Sequence, residues 1–107
     1  MQMNITGHHV EISPPLRAYV KEKMQRLCRH YDQVISIDVI LNVEKLDQTA
    51  EATVNAGGRT LFANATARDM YAAIDGLVDK LDRQVRRLKR RLREHHHVKP
   101  EHATPEN

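Results

Sequence analysis

The apolar residues of this chain change their period twice, and few folds accommodate both changes. From Leu16 through Val20, Met24, Leu27 and Tyr31 they recur every three or four positions, the spacing of one stripe along an α-helix. From Ile35 through Ile37, Val39, Leu41 and Val43 they recur every two, as in a strand with one buried face. Helical spacing then returns at Met70, Ile74, Leu77, Leu81, Val85, Leu88 and Leu92. Each stripe has to be buried, and the alternating strand offers the complementary face.

The segments between follow the same logic. Gln2 to Thr6 alternates, with Met3 and Ile5 on one side, and reads as a short strand ending at Gly7. Ala50, Ala52, Val54 and Ala56 alternate with Glu51, Thr53 and Asn55, after a turn expected between Glu44 and Gln48. Gly57-Gly58 supplies the positive φ angles of a tight hairpin, and Leu61, Ala63 and Ala65 form the apolar face of a fourth strand. The many alanines imply that helices pack close over this end of the sheet. Ser13-Pro14-Pro15 is a helix start: the hydroxyl caps orphan amides, and proline in the first turn loses no hydrogen bond. Asp69 is placed to cap the last and longest helix.

The order is strand, helix, three strands, helix. A crossover makes strand one parallel to strand two, while short hairpins join strands two, three and four antiparallel. The fold class is therefore α+β: a two-layer β-α-β-β-β-α sandwich, with a four-stranded mixed sheet carrying both helices on one face. At 107 residues the chain fits one domain. Residues 1–94 are expected to form it, and 95–107, with His95-His96-His97, Pro100 and Pro105 but no apolar period, to form a disordered tail. No apolar run approaches the roughly 20 residues of a membrane span, and the opening Met1-Gln2-Met3-Asn4 is not a secretory signal. With Cys28 as the lone cysteine, a cytoplasmic protein without membrane partners is expected.

Net charge is only +3, but it is unevenly distributed. Eight of the 17 Lys and Arg residues lie between Lys80 and Arg93, and no acidic residue interrupts Arg83 to Arg93. On a wheel centred on the Leu81 stripe, Arg83, Arg86, Arg87 and Arg90 fall opposite it, with Lys80 and Arg91 along one flank. The first helix adds Arg26 and Arg29 outward and Lys23 on a flank, so the two helices could border a shared positive groove if their packing brings the two sets together. Charged helix faces are usually just solvated. Here, however, guanidinium groups three and four residues apart disfavour the helix by roughly 0.2 to 0.5 kcal/mol per pair, which the C-terminal helix dipole relieves only in part. An external polyanion is expected to balance them. Arginine outnumbers lysine, which suits forked contacts to phosphate oxygens. With three Tyr, one Phe and no Trp, base stacking is a poor fit, and a folded, phosphate-dense RNA surface is the expected target.

Enzymatic and metal readings find little support. Cys28 and His30 are two apart in a helix and point in different directions. His8-His9 and His95-His96-His97 lack the spacing and carboxylate partners of a metal site, and Gly57-Gly58 is followed by no phosphate-loop pattern. Asp75, Asp79 and Asp82 lie too far round the helix to pair with one another, and are expected to be solvated or to partner Lys80 and Arg83. Gly76, mid-helix and costing roughly 1 kcal/mol against alanine, is expected to project outward, either as neutral drift or to let a backbone approach closely. No catalytic residue, metal ligand or cofactor is assigned.

The text of the last helix, Asp69-Met70-Tyr71-Ala72-Ala73-Ile74-Asp75-Gly76-Leu77, then Asp79-Lys80-Leu81 and Arg83-Gln84, closely resembles the short form of the ribosome hibernation promoting factor family. Met3-Asn4-Ile5-Thr6-Gly7, Val10-Glu11-Ile12 and Val43-Glu44-Lys45 resemble it in the same order, so the likeness runs from Met1 to about Leu92. The resemblance implies the same fold, similar to double-stranded RNA-binding domains. It also implies binding to 16S rRNA of the 30S subunit, in the channel of mRNA and the A-site and P-site tRNAs, with translation blocked in stationary or stressed bacteria. The family's basic residues correspond to Lys23, Arg26, Lys80 and Arg83; Arg86, Arg87, Arg90 and Arg91 join them on charge alone. The long form's dimerisation domain has no counterpart here, so a monomeric protein acting on 70S ribosomes and their 100S dimers is expected. The sister ribosome-associated inhibitor, which keeps inactive ribosomes single, has a longer acidic tail and stays an alternative, as does a non-ribosomal double-stranded RNA binder.

Overall fold

The computed structural model describes the backbone of residues 1–97 and the side chains of residues 1–91. The elements, in chain order, are β1 (Gln2–His8), α1 (Pro14–His30), β2 (Val34–Glu44), β3 (Asp47–Ala56), β4 (Arg59–Ala67) and α2 (Met70–His97). The sheet order is β1-β2-β3-β4, with β1 parallel to β2 and the other pairs antiparallel. Both helical stripes meet one sheet face in a single core, which confirms the α+β reading. Ile37, Val39, Leu41, Ala50, Ala52, Val54, Ala56, Ala63 and Ala65 line that face, and Val20, Met24, Leu27, Ile74, Leu77, Leu81 and Val85 cover it. No described helix is long and apolar enough to cross a membrane.

Both helix starts form as the capping residues dictate. Ser13 Oγ accepts from the Leu16 amide at 3.3 Å, and Asp69 Oδ2 accepts from the Ala72 amide at 3.1 Å. The β2–β3 turn is tighter than expected: only Lys45 and Leu46 separate the strands, and Lys45 takes the positive φ of 58° that so short a loop requires. Gly57 and Gly58, at φ 55° and 79°, close the β3–β4 hairpin.

Two expectations are corrected. The helical backbone of α2 continues through His97, past the boundary placed at Glu94; the rest of the tail, 98–107, lies outside the described residues. Gly76 does not project outward. A Cβ built there meets the Ala65 Cβ at 3.1 Å, so the glycine lets the α2 backbone ride close on β4.

That close approach matters because β4 is a sheet edge, whose outward carbonyls need donors. Lys80 Nζ donates to the Asn64 carbonyl at 2.7 Å and Gln84 Nε2 to the Phe62 carbonyl at 2.8 Å. Four helical residues rise about 6 Å and two strand residues about 6.6 Å, so a donor every fourth residue of α2 keeps pace with every second carbonyl of β4. Helix and edge strand are thereby laced together along a seam.

Candidate nucleic-acid interface

The two layers differ sharply in charge. Outward positions of the sheet carry Asn4, Thr6, Ser36, Asp38, Asn42, Thr49, Glu51, Thr53, Thr60, Phe62, Asn64 and Thr66. Apart from Arg68, at the margin and 4.0 Å from Asp47, no Lys or Arg projects from the outward positions of the strands. The helical layer holds all eight residues expected at the site: Lys23, Arg26, Lys80, Arg83, Arg86, Arg87, Arg90 and Arg91. All are exposed except Lys23, which is half-buried.

The helices do not present them as one positive groove. Between α1 and α2 runs a cleft of about 400 Å³ in which Lys23, Arg26 and Arg86 face Asp75, Asp79 and Asp82. Lys23 Nζ lies 3.7 Å from Asp75 and 5.2 Å from the centre of the Tyr19 ring. Arg83 bonds Asp79, and Arg86 bonds Asp82, each one helical turn apart. The Arg83 guanidinium holds the Asp79 carboxyl below the usual carboxylate range. The expected positive groove is thus a charge-balanced one, and α2 supplies much of its own counter-charge. Of the partners expected for the three aspartates, Arg83 pairs with Asp79 while Lys80 reaches the strand edge instead; Asp75 is taken by Tyr19 and Lys23, and Asp82 by Arg86.

Arg87 and Arg91 sit on the opposite flank of α2, against β4. Arg87, Arg90 and Arg91 have no carboxylate partner among the described residues. The residue that the sequence reading missed here is Arg59. Strand alternation puts it on the same face as Leu61 and Ala63, at the start of β4, where it joins Arg87 and Arg91 around a cleft of about 270 Å³. The signal was legible: Arg59 lies two residues before the first apolar position of that strand. Arg59 also borders a neighbouring hollow with Arg29, Lys89 and Asp32.

One further cluster joins the helices. The Tyr19 hydroxyl donates to Asp75 Oδ1 at 2.5 Å, and its ring meets Tyr71 edge-on at 4.8 Å. The hydrogen bond to Asp75, with burial second, pushes the Tyr19 phenol up to about 12. Lys89 Nζ donates to the His30 carbonyl at 2.6 Å, satisfying the C-terminal end of α1. Cys28 is half-buried beside the core, and burial pushes its thiol up, as suits a small apolar filler and not a nucleophile.

These features define a class: a small α+β module with a cationic helical layer laid over a sheet whose far face is neutral to acidic. The chain belongs to the Sigma 54 modulation protein / S30EA ribosomal protein family, whose model matches residues 3–93. It is 53% identical to a ribosome hibernation promoting factor of Pseudomonas putida over 89 residues, 83% of this chain and 87% of the relative. Against the factor of that name from Escherichia coli K12 it is 45% identical over 95 residues, 89% of this chain and all of the relative. Among solved structures, a ribosomal subunit interface protein from Coxiella burnetii superposes with a TM-score of 0.78 at 36% identity, covering 83% of this chain and 98% of the other. The Protein Y N-terminal domain of Thermus thermophilus gives 0.76 at 33% identity, covering 82% and 99%. The family is one of ribosome-associated hibernation factors, not of enzymes.

Proposed function

We propose that this chain binds the small ribosomal subunit through its 16S rRNA, in the channel otherwise taken by mRNA and the A-site and P-site tRNAs, and so silences translation in the cytoplasm. The observation that carries the reading is the split of charge between the layers: guanidinium and ammonium groups cover the helices, while the outward positions of the strands carry no Lys or Arg, and Arg68, just past β4, lies beside Asp47. A module so divided meets a phosphate-dense surface helix side first, and contacts of this kind read shape and backbone more than sequence. Arg87, Arg90 and Arg91, without carboxylate partners among the described residues, are the groups with most to gain from phosphate. Arg83, Arg86 and Lys23 exchange an internal partner for an external one, so each contributes less net affinity. Lys80 keeps one donor on β4 and has others to offer. Bound ribosomes are held inactive and favoured as 100S pairs.

Sucrose-gradient sedimentation tests this directly. The protein should co-migrate with 30S subunits at moderate salt, lose that association when mRNA and tRNA fill the channel, and inhibit translation stoichiometrically. With roughly five to seven phosphates neutralised, affinity should fall with the logarithm of salt with a slope of several. Absence of association with 30S particles even in dilute buffer would refute the proposal. Accumulation of single inactive 70S ribosomes, with no 100S peak, would favour the inhibitor-like alternative.

A further inference from the structure

Three clefts among the described residues of the helical layer are not electrostatically alike. The interhelical cleft sets three cations against three aspartates. The hollow beside the β3–β4 hairpin contains Asp32 among its cations. The seam between α2 and β4, by contrast, opens into a cleft lined by Arg59, Arg87 and Arg91, with no carboxylate in its wall among the described residues.

The seam opens there for a reason of register. Lys80 meets the carbonyl of Asn64 and Gln84 that of Phe62, so the next step of four along α2 and two along β4 brings position 88 opposite Thr60. Leu88 has no donor to offer and turns into the core, where it is 5% exposed. The lacing ends, and Arg87 and Arg91, one turn apart on α2, stand over the first residues of the edge strand. Arg59 arrives from below because Gly57 and Gly58 turn the chain tightly enough to start β4 with its first side chain on the helix side. The other polar groups of the wall are engaged: Gln84 on Phe62, and the Thr60 hydroxyl on Asn55 Oδ1 at 3.2 Å. Among the described residues the three guanidinium groups make no side-chain hydrogen bond or ion pair, although like charges lining one cleft repel.

We propose that the α2–β4 cleft is a phosphodiester cradle, in which Arg59, Arg87 and Arg91 together grip the backbone of folded RNA. It deepens the ribosome-binding reading, on which it rests, by adding a contact from the sheet layer and by moving the strongest phosphate site from the interhelical groove to the outer seam. Forked guanidinium groups from two elements surround one phosphate more completely than a single helix ridge can.

The test is 30S binding by the full-length protein across a salt series. Variants are Arg59→Ala, Arg59→Lys, Arg87→Ala, Arg91→Ala, the Arg59→Ala/Arg91→Ala double variant, and Arg68→Ala, which removes the same charge just past the far end of β4. Arg59→Ala should weaken binding several-fold to about tenfold and lower the salt slope by about one, with melting unchanged. The double variant should lose less than the product of the single losses, because removing one grip loosens the phosphate for the other. Arg59→Lys should restore part of the affinity. If Arg59→Ala behaves like Arg68→Ala while Arg87→Ala still weakens binding, the cradle is wrong and the ribosome reading stands. If the wild-type protein fails to bind 30S at all, both fall together.

Discussion

Gly76 offers a test of the seam that positions the cationic helix. In an unconstrained helix, Gly76→Ala would stabilise by about 1 kcal/mol, because alanine restricts the unfolded chain and suits the helix interior. Here the new Cβ falls 3.1 Å from the Ala65 Cβ, some tenths of an ångström inside the 3.5–4.0 Å at which carbons attract. Ala65 is 8% exposed and sits in β4, which is pinned by β3 on one side and by Lys80 and Gln84 on the other, so it cannot simply recede. Overpacking of this kind costs about 1–3 kcal/mol, which outweighs the propensity gain. The variant should therefore be destabilised by about 1 kcal/mol, lowering the melting temperature by roughly 4–8 °C for a domain of this size. Urea and thermal unfolding followed by far-UV circular dichroism measures it. Combining Gly76→Ala with Ala65→Gly removes the clash, so the double-mutant cycle should return a favourable coupling of about 1–2 kcal/mol. A Gly76→Ala protein that melts higher than wild type, with no coupling to Ala65→Gly, would show that the seam has slack and that the glycine is not what brings α2 onto β4.

Three other outcomes are expected. Leu81 is fully buried between α2 and the sheet, so Leu81→Ala should cost about 2–5 kcal/mol by equilibrium unfolding; a smaller loss would mean that the core collapses around the gap. Replacing Arg83, Arg87 and Arg90 together by Ala should shift stability by less than about 0.5 kcal/mol per site but sharply reduce 30S affinity; inhibition of translation at wild-type concentration would exclude this surface. Tyr19 has a folded pKa, about 12, above the ordinary tyrosine value near 10. Its hydrogen bond with Asp75 therefore stabilises fully below pH 10, and that contribution is lost as pH rises through 12. Tyrosinate absorbance should show a component ionising near pH 12 that Tyr19→Phe abolishes, and an unchanged titration curve would refute the assignment.

The alternation and stripes of the apolar residues by themselves determined the order of elements, the pairing of the strands and the content of the core, because burial acts on a period that is written locally. The caps at Ser13 and Asp69 and the Gly57-Gly58 turn were legible for the same reason: each depends on a few adjacent residues. The concentration of arginine on α2 was equally plain. Its effect was not, since the charge near a guanidinium depends on which groups other elements bring beside it. Only the packed helices decided that Asp75 would serve Tyr19 and Lys23 of α1 and that Lys80 would serve a strand carbonyl. Only the approach of α2 to the edge strand gave Gly76 its purpose and put Arg59, distant in sequence, beside Arg87 and Arg91. Hydrophobic period is a property of neighbours along the chain, whereas electrostatic complementarity is a property of neighbours in space.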